Sequence, residues 1–110
     1  MSLYNQASFK NSRVSTRKAT TSADVKQTTV NTGARTLIAA ANPNRTYLTL
    51  RNENATAGND LRYDYFDNAN ILTEGFLLKA SEAVDLENAS AIYAQAVVSS
   101  VVCSVDEGQG

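Results

Sequence analysis

The sequence predicts an all-β domain, an antiparallel β-sandwich or jelly roll of about eight short strands, behind an extended N-terminal arm. Three observations predict it. From residue 24 onward, short runs rich in Val, Thr, Leu, Ile and Tyr recur roughly every 8–12 residues between clusters of Asn, Gly, Asp and Ser, the spacing of sheet proteins. Within those runs apolar and polar residues alternate with the period of two that turns successive side chains to opposite faces. Residues 1–23 carry only Leu3, Tyr4, Phe9 and Val14 as sizeable apolar side chains, without helical period, too few to form a core.

The chain therefore divides into a basic arm, 1–23, and a sandwich domain, 24–110. Extended, the arm would reach on the order of 75 Å, further than such a domain is wide. It is either a passive terminus or a segment ordered by lying on another surface. The expected strands are Val25–Thr32, Thr36–Ala40, Arg45–Asn52, Asp60–Phe66, Gly75–Lys79, Ala83–Leu86, Ala91–Val98 and Ser100–Val105. Pro43, between Asn42 and Asn44, fixes its own φ and biases Asn42 away from the helical region, so a turn directs the chain into Arg45–Asn52. There Leu48 and Leu50 share the core face, with Tyr47, Thr49 and Arg51 opposite. In the next run Leu61, Tyr63 and Tyr65 lie together, with Arg62 and Asp64 opposite. Gly58-Asn59, Asn70 and Gly75 mark the other reversals. Ala80–Asn88 permits a short amphipathic helical turn, but Val84 and its brevity favour strand or loop. Val101, Cys103 and Val105 share one face of the last strand and Val102 the other, the pattern of a central strand.

Composition narrows the chemistry. With 43% apolar and 19% charged residues the chain has ordinary globular usage, which excludes wholesale disorder. No window approaches the roughly 18–20 apolar residues of a membrane helix, and MSLYNQASFK lacks a secretory apolar core, so synthesis in a cytoplasm is expected. Histidine is absent, which removes the commonest general base and metal ligand. Cys103 is the only thiol, unable to form an internal disulfide or a four-thiolate zinc site and without a basic neighbour to activate it. The five glycines do not fall at phosphate-cradling spacing. No catalytic, metal-binding or cofactor-binding residue is assigned, and no enzymatic activity is expected.

Charge is unevenly placed. Lys10, Arg13, Arg17 and Lys18 are four of the ten basic residues and lie in a stretch with no acid, leaving six against all eleven acids from Asp24 onward. An acidic body argues against nucleic acid as the main partner and for an acidic protein surface as the partner of the arm. Asp60, Asp64, Asp67 and Glu74 could in principle serve as hydrolytic or calcium-binding carboxylates, but their spacing reproduces no known calcium loop. The expectation is that the aspartates coat a solvent face or pair with Arg62. Tyr63, Tyr65, Phe66 and Tyr93 could form an aromatic platform for a sugar, against the plainer reading that most of them pack in the core. Three Asn-x-Ser/Thr triplets, at Asn44, Asn54 and Asn88, read as turn chemistry.

The stretch Ala39-Ala40-Ala41-Asn42-Pro43-Asn44-Arg45, running on to Thr46-Tyr47-Leu48-Thr49-Leu50-Arg51-Asn52, resembles a segment that recurs in small β-sandwich structural proteins of tailed bacteriophages. There an Ala-Asn-Pro-x-Arg turn launches a strand ending in Asn. Ala91-Ile92-Tyr93-Ala94 and the Val/Ser-rich segment after it are similar to the close of those domains, while Asp60–Phe66 departs from their glycine-rich middle. The resemblance covers about half of the body, and it is greatest to capsid decoration, or cement, proteins. It implies a virion protein on the outer capsid surface, stapling neighbouring major capsid subunits as a homodimer or through another symmetric self-contact on the shell, with no membrane involvement. The implied shell contacts are Leu3, Tyr4, Phe9, Lys10, Arg13, Val14, Arg17 and Lys18. The competing expectation is a carbohydrate-binding or fibre- or tail-associated module using Tyr63, Tyr65 or Tyr93 for host glycans.

Overall fold

A computed structural model describes residues 21–109, with side chains from Lys26 onward. Among the described residues the chain forms eight strands and one helical turn: β1 (Thr21–Val30), β2 (Thr36–Ala39), β3 (Arg45–Asn52), β4 (Leu61–Asp64), α1 (Ile71–Glu74), β5 (Phe76–Leu78), β6 (Ala83–Leu86), β7 (Ile92–Ala96) and β8 (Val101–Gln109). They build two four-stranded antiparallel sheets, ordered β1-β8-β3-β6 and β2-β7-β4-β5. The sheets form the predicted sandwich. The pairing is nested: β1 with β8, β2 with β7, β3 with β6 and β4 with β5.

Alternation decides what is inside. Leu48 and Leu50 on β3 and Val101, Cys103 and Val105 on β8 turn to the core, and β8 is central between β1 and β3, as its pattern predicts. Leu61 and Tyr63 on β4, with Ile92, Ala94 and Ala96 on β7, close the core from the second sheet. Each large aliphatic side chain sealed here contributes about 1.5–3 kcal/mol. Ala80–Asn88 contains a turn and β6, not a helix.

Boundaries differ where pairing overrides local pattern. β1 begins at Thr21 rather than Val25, because Thr21 and Ser22 pair with Gln109 and Gly108 across a register shift before Asp24. β8 accordingly runs on to Gln109. The predicted turn at Pro43 is present: the Asn44 N–H donates to the Asn42 side chain at 3.0 Å and the Arg45 N–H to the Asn42 carbonyl at 3.1 Å. Asn54 and Asn88 make the same local turn, accepting from the N–H groups of Thr56 and Ser90, so two of the Asn-x-Ser/Thr triplets act as turn chemistry.

The strands expected at Asp60–Phe66 and Gly75–Lys79 are shorter, Leu61–Asp64 and Phe76–Leu78, and in place of a simple reversal residues 65–75 fold over the outer face of the second sheet. The Asn68 side chain accepts the Asn70 N–H, and the Glu74 N–H closes one helical turn on the Asn70 carbonyl. The turn packs against β4 and β7 and buries Ile71 apart from the main core. Gly75 has extended backbone here; what its position requires is space, since a Cβ would lie 2.7 Å from the Ile71 carbonyl oxygen. The true left-handed glycine is Gly58, with φ of 92°, in the β3–β4 connection.

Candidate functional site

The most heavily bonded polar cluster of the described residues surrounds Arg45. The turn at Pro43 delivers Arg45 to the first position of β3 with its side chain fully buried. Its Nε donates to Glu107 Oε2 at 2.7 Å, Nη1 to the carbonyls of Asn88 and Ser90 at 2.6 and 2.8 Å, and Nη2 to the Ala40 carbonyl at 2.8 Å. Asn42 Nδ2 adds bonds to Glu107 at 3.1 Å and Gln109 at 3.0 Å. One guanidinium thus joins the β2–β3 turn, the β6–β7 connection and β8. A planar fork of five N–H donors suits this task, and an ammonium would not reach all three. The cluster sits at the end of the sandwich where β1 begins, because Gln109 is the register partner of both Thr21 and Arg45.

The four carboxylates singled out from the sequence do not converge on one another in an open cleft. Asp60 accepts the Ala80 N–H at 3.2 Å. Asp64 is buried beneath residues 65–75 and accepts from the Tyr65 N–H and from Asn68 Nδ2 at 2.9 Å. Asn68 also donates to Glu74 at 3.2 Å, and Asp67 accepts from Arg35 Nε. Of the expectation that the aspartates coat a solvent face or pair with Arg62, the first part holds for exposed Asp67 but not for buried Asp64, and the second is corrected, since Arg62 donates to the Gly75 carbonyl at 2.7 Å. Alternation alone sends Asp64 outward, and the covering segment turns that outward face into an interior. Among the described residues no group of three or more carboxylates and thiols could hold a metal ion.

The aromatic residues divide. Tyr63, Tyr65 and Phe76 form one cluster, with ring centroids 5.4 Å apart for Tyr63–Phe76, 5.9 Å for Tyr65–Phe76 and 6.5 Å for Tyr63–Tyr65. Tyr63 belongs to the core; burial, and then the neighbouring Tyr65, push its phenol above the ordinary 10. Tyr93 lies on the opposite face of the same sheet, in register with Asp64 and Leu37, so the three tyrosines do not make one platform. Phe66 and Phe76, at 58% and 52% exposure, are the open rings, contrary to the expectation that most aromatics lie inside. Cys103 is buried, and its thiol is pushed up to about 11, chiefly by desolvation.

Two clefts border the loops. One of about 240 Å³ lies between Gly33 and Arg35 on the β1–β2 connection and Asn70, Leu72 and Thr73 around α1; the other, about 380 Å³, lies between Gly58, Asp60 and Lys79. Ligand pockets commonly occupy about 300–1,000 Å³ with convergent polar groups, and these two clefts stand below or near the foot of that range. Leu3, Tyr4, Phe9, Lys10, Arg13, Val14, Arg17 and Lys18, the shell contacts implied by resemblance, lie outside the described residues. No protein-family model, curated protein or solved structure matches this chain.

Proposed function

We propose that this chain is a virion structural protein, a capsid decoration or cement protein of a tailed bacteriophage that binds the outer shell and staples neighbouring major capsid subunits. The observation that carries the reading is how the module holds the segment preceding it. β1 is paired with β8 along its length, and beside its first residues the Arg45–Glu107 pair locks β8 to two connections. Tension on residues 1–20 would pass into a run of antiparallel backbone hydrogen bonds and then into a buried, charge-assisted cluster. An anchorage of that kind suits a protein whose work is to hold subunits together.

The polar chemistry of the body points the same way, because its buried charges are engaged in fixing turns. Adhesion would fall to the acid-free segment, with Lys10, Arg13, Arg17 and Lys18 facing acidic patches of the major capsid protein and Leu3, Tyr4, Phe9 and Val14 buried there on ordering. Repetition around a shell multiplies such contacts. The nested strand pairing supports reading the sandwich as a jelly roll, an arrangement used by viral capsid and lectin domains among others. That likeness is one of architecture and carries no function by itself.

The test compares purified particles assembled with and without the protein. Stoichiometric binding, greater resistance to heat and chelator, and loss of binding when the four basic residues of the segment are replaced by Glu are expected. Equal robustness with and without the protein, or unchanged occupancy after the replacement, overturns the proposal. Micromolar glycan binding abolished by replacing half-buried Tyr65 or Tyr93, with core Tyr63 left in place, would put the carbohydrate-binding reading in its place.

A further inference from the structure

We propose that the outer edge of the second sheet is a contact between two copies of this chain, in which β5 of each pairs antiparallel about a two-fold axis through Leu77. Among the described residues the sheet ends at β5, whose far side has no strand partner. Proteins usually guard such an edge with brevity, charge, proline or a bulge. Phe76-Leu77-Leu78 has brevity alone, three residues without charge, proline or bulge, and Phe76 and Leu77 are 52% and 41% exposed.

The flanking charges select the partner and the direction. Glu74 precedes the strand, Lys79 follows it, and both are exposed. In antiparallel pairing centred on Leu77, Phe76 faces the partner's Leu78, Leu77 faces the partner's Leu77, and Lys79 reaches the partner's Gly75, next to the partner's Glu74. Opposite charges therefore meet twice, once at each end of the seam, whereas parallel pairing sets like against like. A patch that complements itself under a two-fold is what a homodimer requires. The two second sheets would become one continuous sheet of eight strands, with each exposed Phe76 covered at the seam. This contact belongs to the free protein and does not depend on any shell.

Sedimentation equilibrium of the full chain between about 1 and 500 μM checks it, a range that spans the weak-to-moderate affinities of small interfaces. A concentration-dependent dimer is expected. Leu77→Lys, which changes an exposed side chain and leaves the core alone, should raise the dissociation constant at least about tenfold, equivalent to about 1.4 kcal/mol. Glu74→Lys and Lys79→Glu should each weaken the dimer, and the two together should restore it. Residues directly opposite in an antiparallel pair have Cα atoms about 4.5–5.5 Å apart, within disulfide range. Leu77→Cys should therefore cross-link on mild oxidation, Leu37→Cys on the opposite edge of the sheet should not, and buried Cys103 should stay silent in both. A monomer throughout the range overturns the proposal. So does a dimer that is indifferent to Leu77→Lys and to both charge reversals, or one in which Leu77→Cys fails to cross-link.

Discussion

Replacing Arg45 by Met keeps the aliphatic volume and deletes four hydrogen bonds together with one charge. Glu107, whose side chain is only 9% exposed, would then be an uncompensated buried carboxylate, and three carbonyls would lose their donor. Breaking a buried ion pair in this way costs about 3–5 kcal/mol, a large share of the roughly 5–15 kcal/mol that keeps a domain folded. Asn42 still donates to Glu107, which places the expected loss toward the lower figure. In urea, with a slope of about 2 kcal/mol/M, the unfolding midpoint should fall by roughly 1.5–2 M, read by far-ultraviolet circular dichroism and tyrosine fluorescence. Removing both charges, as Arg45→Met with Glu107→Leu, should be less damaging than the single change, since the stranded charge is gone. A loss under about 1 kcal/mol, the scale of an exposed pair, would refute the view that this cluster holds the end of the sandwich together.

Gly75→Ala should destabilise by about 1–3 kcal/mol through overpacking against the Ile71 carbonyl, whereas Gly33→Ala, where a Cβ meets nothing within 4 Å, should change the midpoint little. Asn52, fully buried, donates to the carbonyls of Asn59 and Leu78 and accepts the Asn54 N–H; Asn52→Ala should cost about 1–3 kcal/mol and raise amide exchange in residues 53–60. Burial raises the Cys103 thiol from 9.0 to about 11, so its neutral form is favoured in the fold and the resulting stability is present below pH 9 and lost as pH climbs toward 11. Urea midpoints measured at pH 8 and pH 10.5 should accordingly fall less in Cys103→Val than in the parent chain.

Much of the fold is legible locally. β3 and β6 occupy their expected residues because each half-buried run carries period-two alternation between turn signals. The ends of β1 and β8 are not legible: Thr21-Ser22-Ala23 and Asp106-Glu107-Gly108-Gln109 carry few large apolar side chains, and they are strands because of distant partners, the end of β8 pairing with both β1 and β3 and the start of β1 pairing with β8. The helical turn at Ile71–Glu74 is too short to display a helical period. Arg45 appeared only as the charge that starts a strand, although the Ala-Asn-Pro-x-Arg turn was visible; its carboxylate partner stands 62 residues away, and pairing over that distance has no local signature. The burial of Asp64 was hidden for a related reason, since the lid over it comes from an irregular segment whose path is set by Asn68 and Gly75.

The place of β8 in its sheet has a consequence for biosynthesis. Among the described strands β8 is made after β1 and β3, yet it lies between them, so β1 has no neighbour in its sheet until the stretch from Val101 to Gln109 has been made. Until β8 is made, β1 and β3 expose unsatisfied edges, and only then can the closing strand slot between them and complete the sheet. Such late, sequence-distant closure slows folding and leaves nascent chains vulnerable to sticking to one another. Cells producing this protein in quantity would gain from keeping those waiting edges shielded until the final strand arrives.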